Sequence, residues 1–140
     1  MEKQKWTLVN AENVVALECG EEYSSKMLTG DEMAGFPVMN INEGTLKPFS
    51  RTGGGAHEET EIYYMVDCGE PSWVVRDDEY VPVKNGDIII IPPHVFHWID
   101  NTKCDKPFKL FAKEYGNNGG RRLCSPQAMV VTCSCNRHTE

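Results

Sequence analysis

Between Val38 and Glu114 the apolar residues come in short runs rather than in helical stripes. Val, Ile, Tyr, Phe and Thr gather in stretches bounded by Gly, Pro, Asn and Asp, the signature of strands separated by turns. No stretch in this region sustains the apolar spacing of a helix face. The pattern predicts strands over 38–43, 45–50, 57–66, 72–76, 79–83, 87–91, 95–100 and 107–114. Short strands recurring about every ten residues indicate an all-β sandwich or barrel. Asn85-Gly86 is the strongest turn signal, since both residues accept the positive φ of a tight hairpin turn. The run Ile88 to Ile91 reads as a strand buried on both faces, ended by Pro92-Pro93, which cannot donate to a ladder.

The flanks read differently. Trp6 to Asn10 and Val14 to Cys19 suggest short strands, so residues 1–37 form an N-terminal extension packing on the barrel of 38–115. Glu21 to Gly35 is too polar and broken to assign. Residues 116–140 begin with a glycine-rich break and include the apolar run Ala128 to Thr132, a tail or one extra strand.

Composition narrows the function classes. The chain has 140 residues, one domain on the prior of about 150 per domain. A domain of this size buries about two-thirds of its unfolded surface, so its core needs no staple. A net charge of −7 argues against nucleic acid, whose phosphates demand a cationic footprint, and against anionic membrane surfaces. No apolar run approaches the roughly 18 residues of a spanning helix. Met1 to Trp6 shows no apolar signal segment, so a cytoplasmic protein is expected, with its six cysteines as reduced thiols. Cys19, Cys68 and Cys104 read as small buried hydrophobes or free thiols. Cys133, Cys135 and His138 lack the spacing of a zinc or redox motif and read as an incidental tail.

The chemistry concentrates in two segments. One is the glycine run 53–55 followed by Ala56-His57-Glu58-Glu59-Thr60-Glu61-Ile62-Tyr63. In an extended strand alternate residues share a face, so His57, Glu59 and Glu61 would point the same way. An imidazole with carboxylates is a ligand set for a divalent metal. The other segment runs from Gly86 through Pro92-Pro93-His94 to His97 and Asn101. If the strand carrying His97 lies beside 57–63, its imidazole completes the set.

These two segments resemble the two motifs of the cupin superfamily. The second motif (glycine, five residues, Pro-x-Gly, two residues, His, three residues, Asn) falls on Gly86, Pro92, His97 and Asn101, with His94 in place of the family glycine. In the first motif, His57 matches the second histidine and Glu61 the glutamate. Gly55 replaces the first histidine, and the closing glycine, Gly69, comes one residue late. The resemblance covers about residues 38–115 and implies an all-β, single-domain jelly roll, a double-stranded β-helix barrel.

It also implies one divalent transition metal ion (iron, manganese, zinc, nickel, cobalt or copper) near the barrel mouth, held here by His57, Glu61 and His97. Two histidines and one carboxylate leave open positions for a ligand. Glu59, Tyr63 and His94 are candidates for proton transfer, Glu59 also for a fourth ligand. Arg51 is a candidate donor to a substrate carboxylate. The function expected is a metal-dependent enzyme acting on a small polar molecule (a sugar, keto acid or other carboxylate) by isomerisation, lysis or decarboxylation. A non-catalytic ligand-binding cupin and a non-haem iron dioxygenase stand beside it, because one fold hosts many chemistries. Small cupins often pair, so a homodimer is expected.

Overall fold

In strand β3 (Asn40–Leu46) the even-numbered residues are buried and the odd-numbered ones only half-buried, the period-two pattern of a strand with one face on a core. The computed structural model describes residues 7–29 and 39–114. After a 3₁₀ turn at Ala11–Asn13, capped by the Asn10 side chain, the chain forms β1 (Leu17–Glu18) and β2 (Tyr23–Thr29). Then come β3, β4 (Ser50–Arg51), β5 (Glu61–Asp67), β6 (Trp73–Arg76), β7 (Glu79–Pro82), β8 (Ile88–Ile91), β9 (His97–Asn101) and β10 (Phe108–Glu114).

The strands form a six-stranded sheet, β1-β2-β3-β10-β5-β8, and a four-stranded sheet, β4-β9-β6-β7, antiparallel throughout. From β3 onward the chain crosses from one sheet to the other at each connection except the β6–β7 hairpin, the jelly-roll arrangement. Leu46, Met65, Phe108 and Leu110 of the larger sheet meet Val74 and Ile99 of the smaller in one apolar core. Asn101, fully buried, accepts from Ser72 Oγ at 3.0 Å and donates to the carbonyls of Lys47 and Lys106 at 3.2 and 2.8 Å. The asparagine of the second motif therefore ties three loops together.

Several expectations are corrected. The isoleucine run is an edge strand of the larger sheet, with Ile88 and Ile90 60% and 67% exposed, because β8 pairs only with β5. Asn85-Gly86 is a turn but not a hairpin, since it carries the chain from β7 in one sheet to β8 in the other. Only Gly86 takes a positive φ there, and Asn85 Oδ1 instead accepts from the Cys68 N–H at 2.6 Å. The two-residue hairpin is Asp77-Asp78 between β6 and β7, with Asp77 at φ 52°.

The strands expected at 38–43 and 45–50 are one strand, β3, followed by the two-residue β4. Gly44 does not interrupt β3, because the Tyr23 ring lies across it where a side chain would stand. The polar stretch left unassigned holds β2, which with β1 widens the larger sheet beyond β3. Residues 7–10 form no strand. The tail with Cys133, Cys135 and His138 lies outside the described residues.

Candidate metal centre

His57, Glu61 and His97 reach one point from three parts of the fold. Strand β5 begins at Glu61 rather than at residue 57, so His57 and Glu61 do not share a strand face as expected. They meet because the chain bends between them. The glycine run lays the approach: Gly55 exchanges backbone hydrogen bonds with His97, N–H to O=C at 3.1 Å and 3.0 Å in the two directions. Gly54, at φ 91°, passes so close that a Cβ would lie 2.9 Å from the His97 carbonyl oxygen and from the Phe96 ring. Only glycine fits that approach without strain.

The donor atoms are close and mostly buried. Glu61 Oε1 lies 2.7 Å from His57 Nδ1 and 3.0 Å from His97 Nε2. Glu61 is 1% exposed and His97 4%, while the His57 side chain is 25% exposed and forms the open side. One ligand atom from each lies within 4.8 Å of the others. Both ring nitrogens thus flank the same carboxylate oxygen, and the three groups face one point.

The His97 tautomer sharpens this. Its Nδ1 lies 2.8 Å from the Val95 carbonyl oxygen, an acceptor only, so Nδ1 carries the proton and donates. Nε2, the other ring nitrogen, is the atom that faces the Glu61 carboxylate. A carboxylate oxygen and an imidazole nitrogen 3.0 Å apart need a cation between them, a proton on Nε2 in the metal-free protein or a metal ion in its place. A backbone carbonyl fixing one ring nitrogen is the usual support for a metal-ligating histidine. Burial alone would raise the Glu61 carboxyl, but His57 and His97 outweigh it and hold the pKa down to about 2. The carboxylate is thus ionised at neutral pH, as a ligand must be. The donor set fits a divalent transition metal ion.

The other sequence candidates scatter. The Tyr63 hydroxyl stands 3.1 Å from His97 Nε2 and can donate to it, which brings Tyr63 to the centre. Glu59 is half-buried and falls outside the convergent group. His94 is exposed, at φ 67°, and its backbone N–H donates to the His57 carbonyl at 2.8 Å. That φ explains why the cupin motif has glycine here: a side chain in the left-handed region is strained.

Arg51 pairs with Asp100 on β9 and stacks 3.7 Å over the Trp98 ring, on the face of the smaller sheet opposite His97 and Ile99. It lines an outer cavity of about 610 Å³ with Asp77, Asp78, Tyr80, Phe96 and Trp98. Sequence reasoning did not single out Val95, whose role is played by a carbonyl, nor the buried Ser25 and Asn42. The alternation Asn40-Ile41-Asn42 gave no sign of this, since by hydropathy alone Ile41 would face inward, whereas Asn40 and Asn42 are the buried residues.

Residues 43–112 match the family pattern described as the Cupin domain. This chain belongs to the cupin family. No curated protein matches it. Among solved structures, this cupin is similar to a predicted oxalate decarboxylase from Thermotoga maritima, at 23% identity and TM-score 0.64 over 77% of this chain and 97% of that one. It is also similar to a Cupin 2 conserved barrel domain protein from Salinispora arenicola, at 20% identity and TM-score 0.62 over 95% and 98%. KdgF from Halomonas sp. aligns at 13% identity and TM-score 0.62 over 80% and 98%. At these identities the likeness is one of fold. No helix among the described residues is long and apolar enough to cross a membrane.

Proposed function

We propose that this cupin is a metal-dependent enzyme that transfers protons on a small polar substrate without net redox change, as an isomerase, lyase or decarboxylase does. The observation carrying the proposal is the convergence of His57 Nδ1 and His97 Nε2 on the buried Glu61 carboxylate, at 2.7 and 3.0 Å. His57, Glu61 and His97 would hold one divalent ion. Bound there, such an ion supplies Lewis acidity toward a substrate carbonyl or hydroxyl oxygen.

The chain's own residues supply the rest. Glu61 and His97 are fixed by burial and by the Val95 carbonyl, so the pocket floor is rigid. The Tyr63 phenol, half-buried beside His97, is placed to give or take a proton at a substrate oxygen. His94 and Glu59, nearer the surface, are the further candidates for exchange with solvent. The likeness to a predicted oxalate decarboxylase favours carbon–carbon cleavage only as analogy of fold.

Pairing of two copies belongs to the same reading. Ile88 and Ile90 stand beside Tyr64 and Ile62 on the outer face of the larger sheet, with Val66 and Phe111 next to them. An apolar patch of this kind on a small domain suits a two-fold interface. A solution mass of one 15.8 kDa chain would contradict the dimer. The buried thiols Cys19, Cys68 and Cys104 accord with a reducing, cytoplasmic setting.

The test is a turnover screen of metal-loaded protein against sugars, keto acids and dicarboxylates, with and without oxygen. Turnover without oxygen, lost on chelation and in Tyr63→Phe, supports the proposal. Oxygen-dependent turnover, or tight binding with no turnover, overturns it in favour of a dioxygenase or a binding protein.

A further inference from the structure

The outer face of the smaller sheet carries a cleft that the metal centre does not use. Cross-strand register puts Trp98, Val75 and Tyr80 in one row on that face, and Arg51, Asp100 and Trp73 in the next. Val75 is small and fully buried, so the rings on either side of it meet above it. Trp98 stands edge-on to Tyr80 at 5.5 Å, and Tyr80 edge-on to Trp73 at 6.2 Å. His97 and Ile99 lie on the opposite face, so the sheet separates this cleft from the metal centre.

Arg51 is the fixed cation of the cleft. Its guanidinium lies 3.7 Å over the Trp98 ring, and its Nε donates to the Thr52 carbonyl at 2.9 Å. Asp100, its register partner, turns Oδ1 to Thr102 instead, accepting from the backbone N–H at 2.9 Å and from the hydroxyl at 2.6 Å. Among the described residues Arg51 makes no ion pair. Stacking occupies the guanidinium face and Thr52 takes Nε. What is left is the edge formed by the two terminal nitrogens, the edge that holds a carboxylate in a fork.

The hairpin residues Asp77 and Asp78 line the same cleft. Both are exposed and, among the described residues, neither makes an ion pair, while Arg76 beside them is committed to Glu79. Tyr80, 51% exposed, and the half-buried Phe96 add open ring surface. A cleft of about 610 Å³ thus joins one cation, two anions and aromatic walls, at a size suited to a small molecule.

Charge complementarity selects the occupant. A simple carboxylate that pairs with Arg51 brings its charge toward two aspartates, on a chain already at −7. A simple amine brings its charge toward Arg51. A zwitterion satisfies both ends, its ammonium is also attracted by ring faces, and an aromatic side chain covers the exposed rings.

We infer that the cleft formed by Arg51, Asp77, Asp78, Tyr80 and Phe96 binds an aromatic α-amino acid as its zwitterion. The carboxylate lies on Arg51, the ammonium on Asp77 and Asp78, and the side chain on the rings of Tyr80 and Phe96.

The test is ligand-detected NMR titration of the full chain, with and without EDTA, using phenylalanine, N-acetylphenylalanine and phenethylamine. Phenylalanine binds about tenfold tighter than either analogue under both conditions. Arg51→Met keeps an alkyl stem on Trp98 but weakens phenylalanine about tenfold, the effect of one charge-assisted pair. Replacing both aspartates (Asp77→Asn with Asp78→Asn) closes the gap between phenylalanine and N-acetylphenylalanine. Asparagine accepts the φ of 52° at position 77, so this variant keeps its hairpin and covers the case in which Arg51→Met fails to fold.

Absence of phenylalanine binding up to about 10 mM overturns the inference. So does an analogue that binds as tightly as phenylalanine, or a pattern that either variant leaves unchanged. Binding seen only without EDTA overturns it as well, because the ligand then belongs to the metal centre.

Discussion

His97 Nε2 and Glu61 Oε1 stand 3.0 Å apart with the imidazole proton committed to the other ring nitrogen by the Val95 carbonyl. The same Nε2 lies 3.1 Å from the Tyr63 hydroxyl. A buried carboxylate and an imidazole nitrogen at that distance need a cation between them, a proton in the metal-free protein or a metal ion in its place. The predictions below follow from how the chain holds that pair in place.

Glu61 makes acid stability a readout of the centre. Its folded pKa, about 2, lies below the ordinary 4.5, so its stabilising contribution is present above pH 4.5 and lost as pH falls toward 2. Urea midpoints of metal-free protein between pH 6 and pH 2 should drop in that window. Glu61→Gln should flatten the drop; an unchanged profile would show that Glu61 is not held by the two histidines.

Gly54 is placed by sterics. At φ 91°, with a Cβ position 2.9 Å from the His97 carbonyl oxygen, Gly54→Ala should cost about 1–3 kcal/mol. Because the clash falls on His97, bound metal should fall along with stability. Urea unfolding and elemental analysis check both, and a neutral substitution would mean that the glycine run does not position His97.

His94 occupies a glycine position at φ 67°. His94→Gly relieves left-handed strain of about 1–2 kcal/mol while losing up to about 1 kcal/mol to unfolded-state entropy. The variant should therefore be no less stable than the parent in urea and should keep its metal, since the contact to His57 is made by the backbone N–H. Lost metal would show that the imidazole itself is a ligand.

Cys68 should be inert. Burial first, then Asp67 and Asp87, push its thiol up to about 11, so almost no thiolate exists at neutral pH. Brief iodoacetamide labelling of folded protein at pH 7.5, mapped by mass spectrometry, should leave Cys68 unmodified. Labelling should begin only on unfolding.

What the sequence disclosed and what it hid follow one physical line. Motif spacing marked Glu61 and His97 because strand ends are local features. Apolar runs bounded by turn residues found β9, β10 and most of β5 for the same reason. The exposure of Ile88 and Ile90 was hidden, because four isoleucines look alike on an edge and in the middle of a sheet, and only pairing decides.

Strand β2 was missed because Ser25 is buried by its place on the inner wall, not by its own hydropathy. His57 was assigned the right company by the wrong geometry: a bend, not a strand face, brings it to Glu61. The position of Arg51 on the outer face likewise needed the pairing of β4 with β9, which three intervening glycines concealed.

The most direct measurement is the metal content of the full chain purified without chelators and without an affinity metal column. The proposed metal centre predicts about one transition metal ion per chain, retained through dialysis and lost in His97→Ala. Metal-free wild-type protein that also shows no thermal shift with manganese, iron, zinc, cobalt, nickel or copper would contradict it.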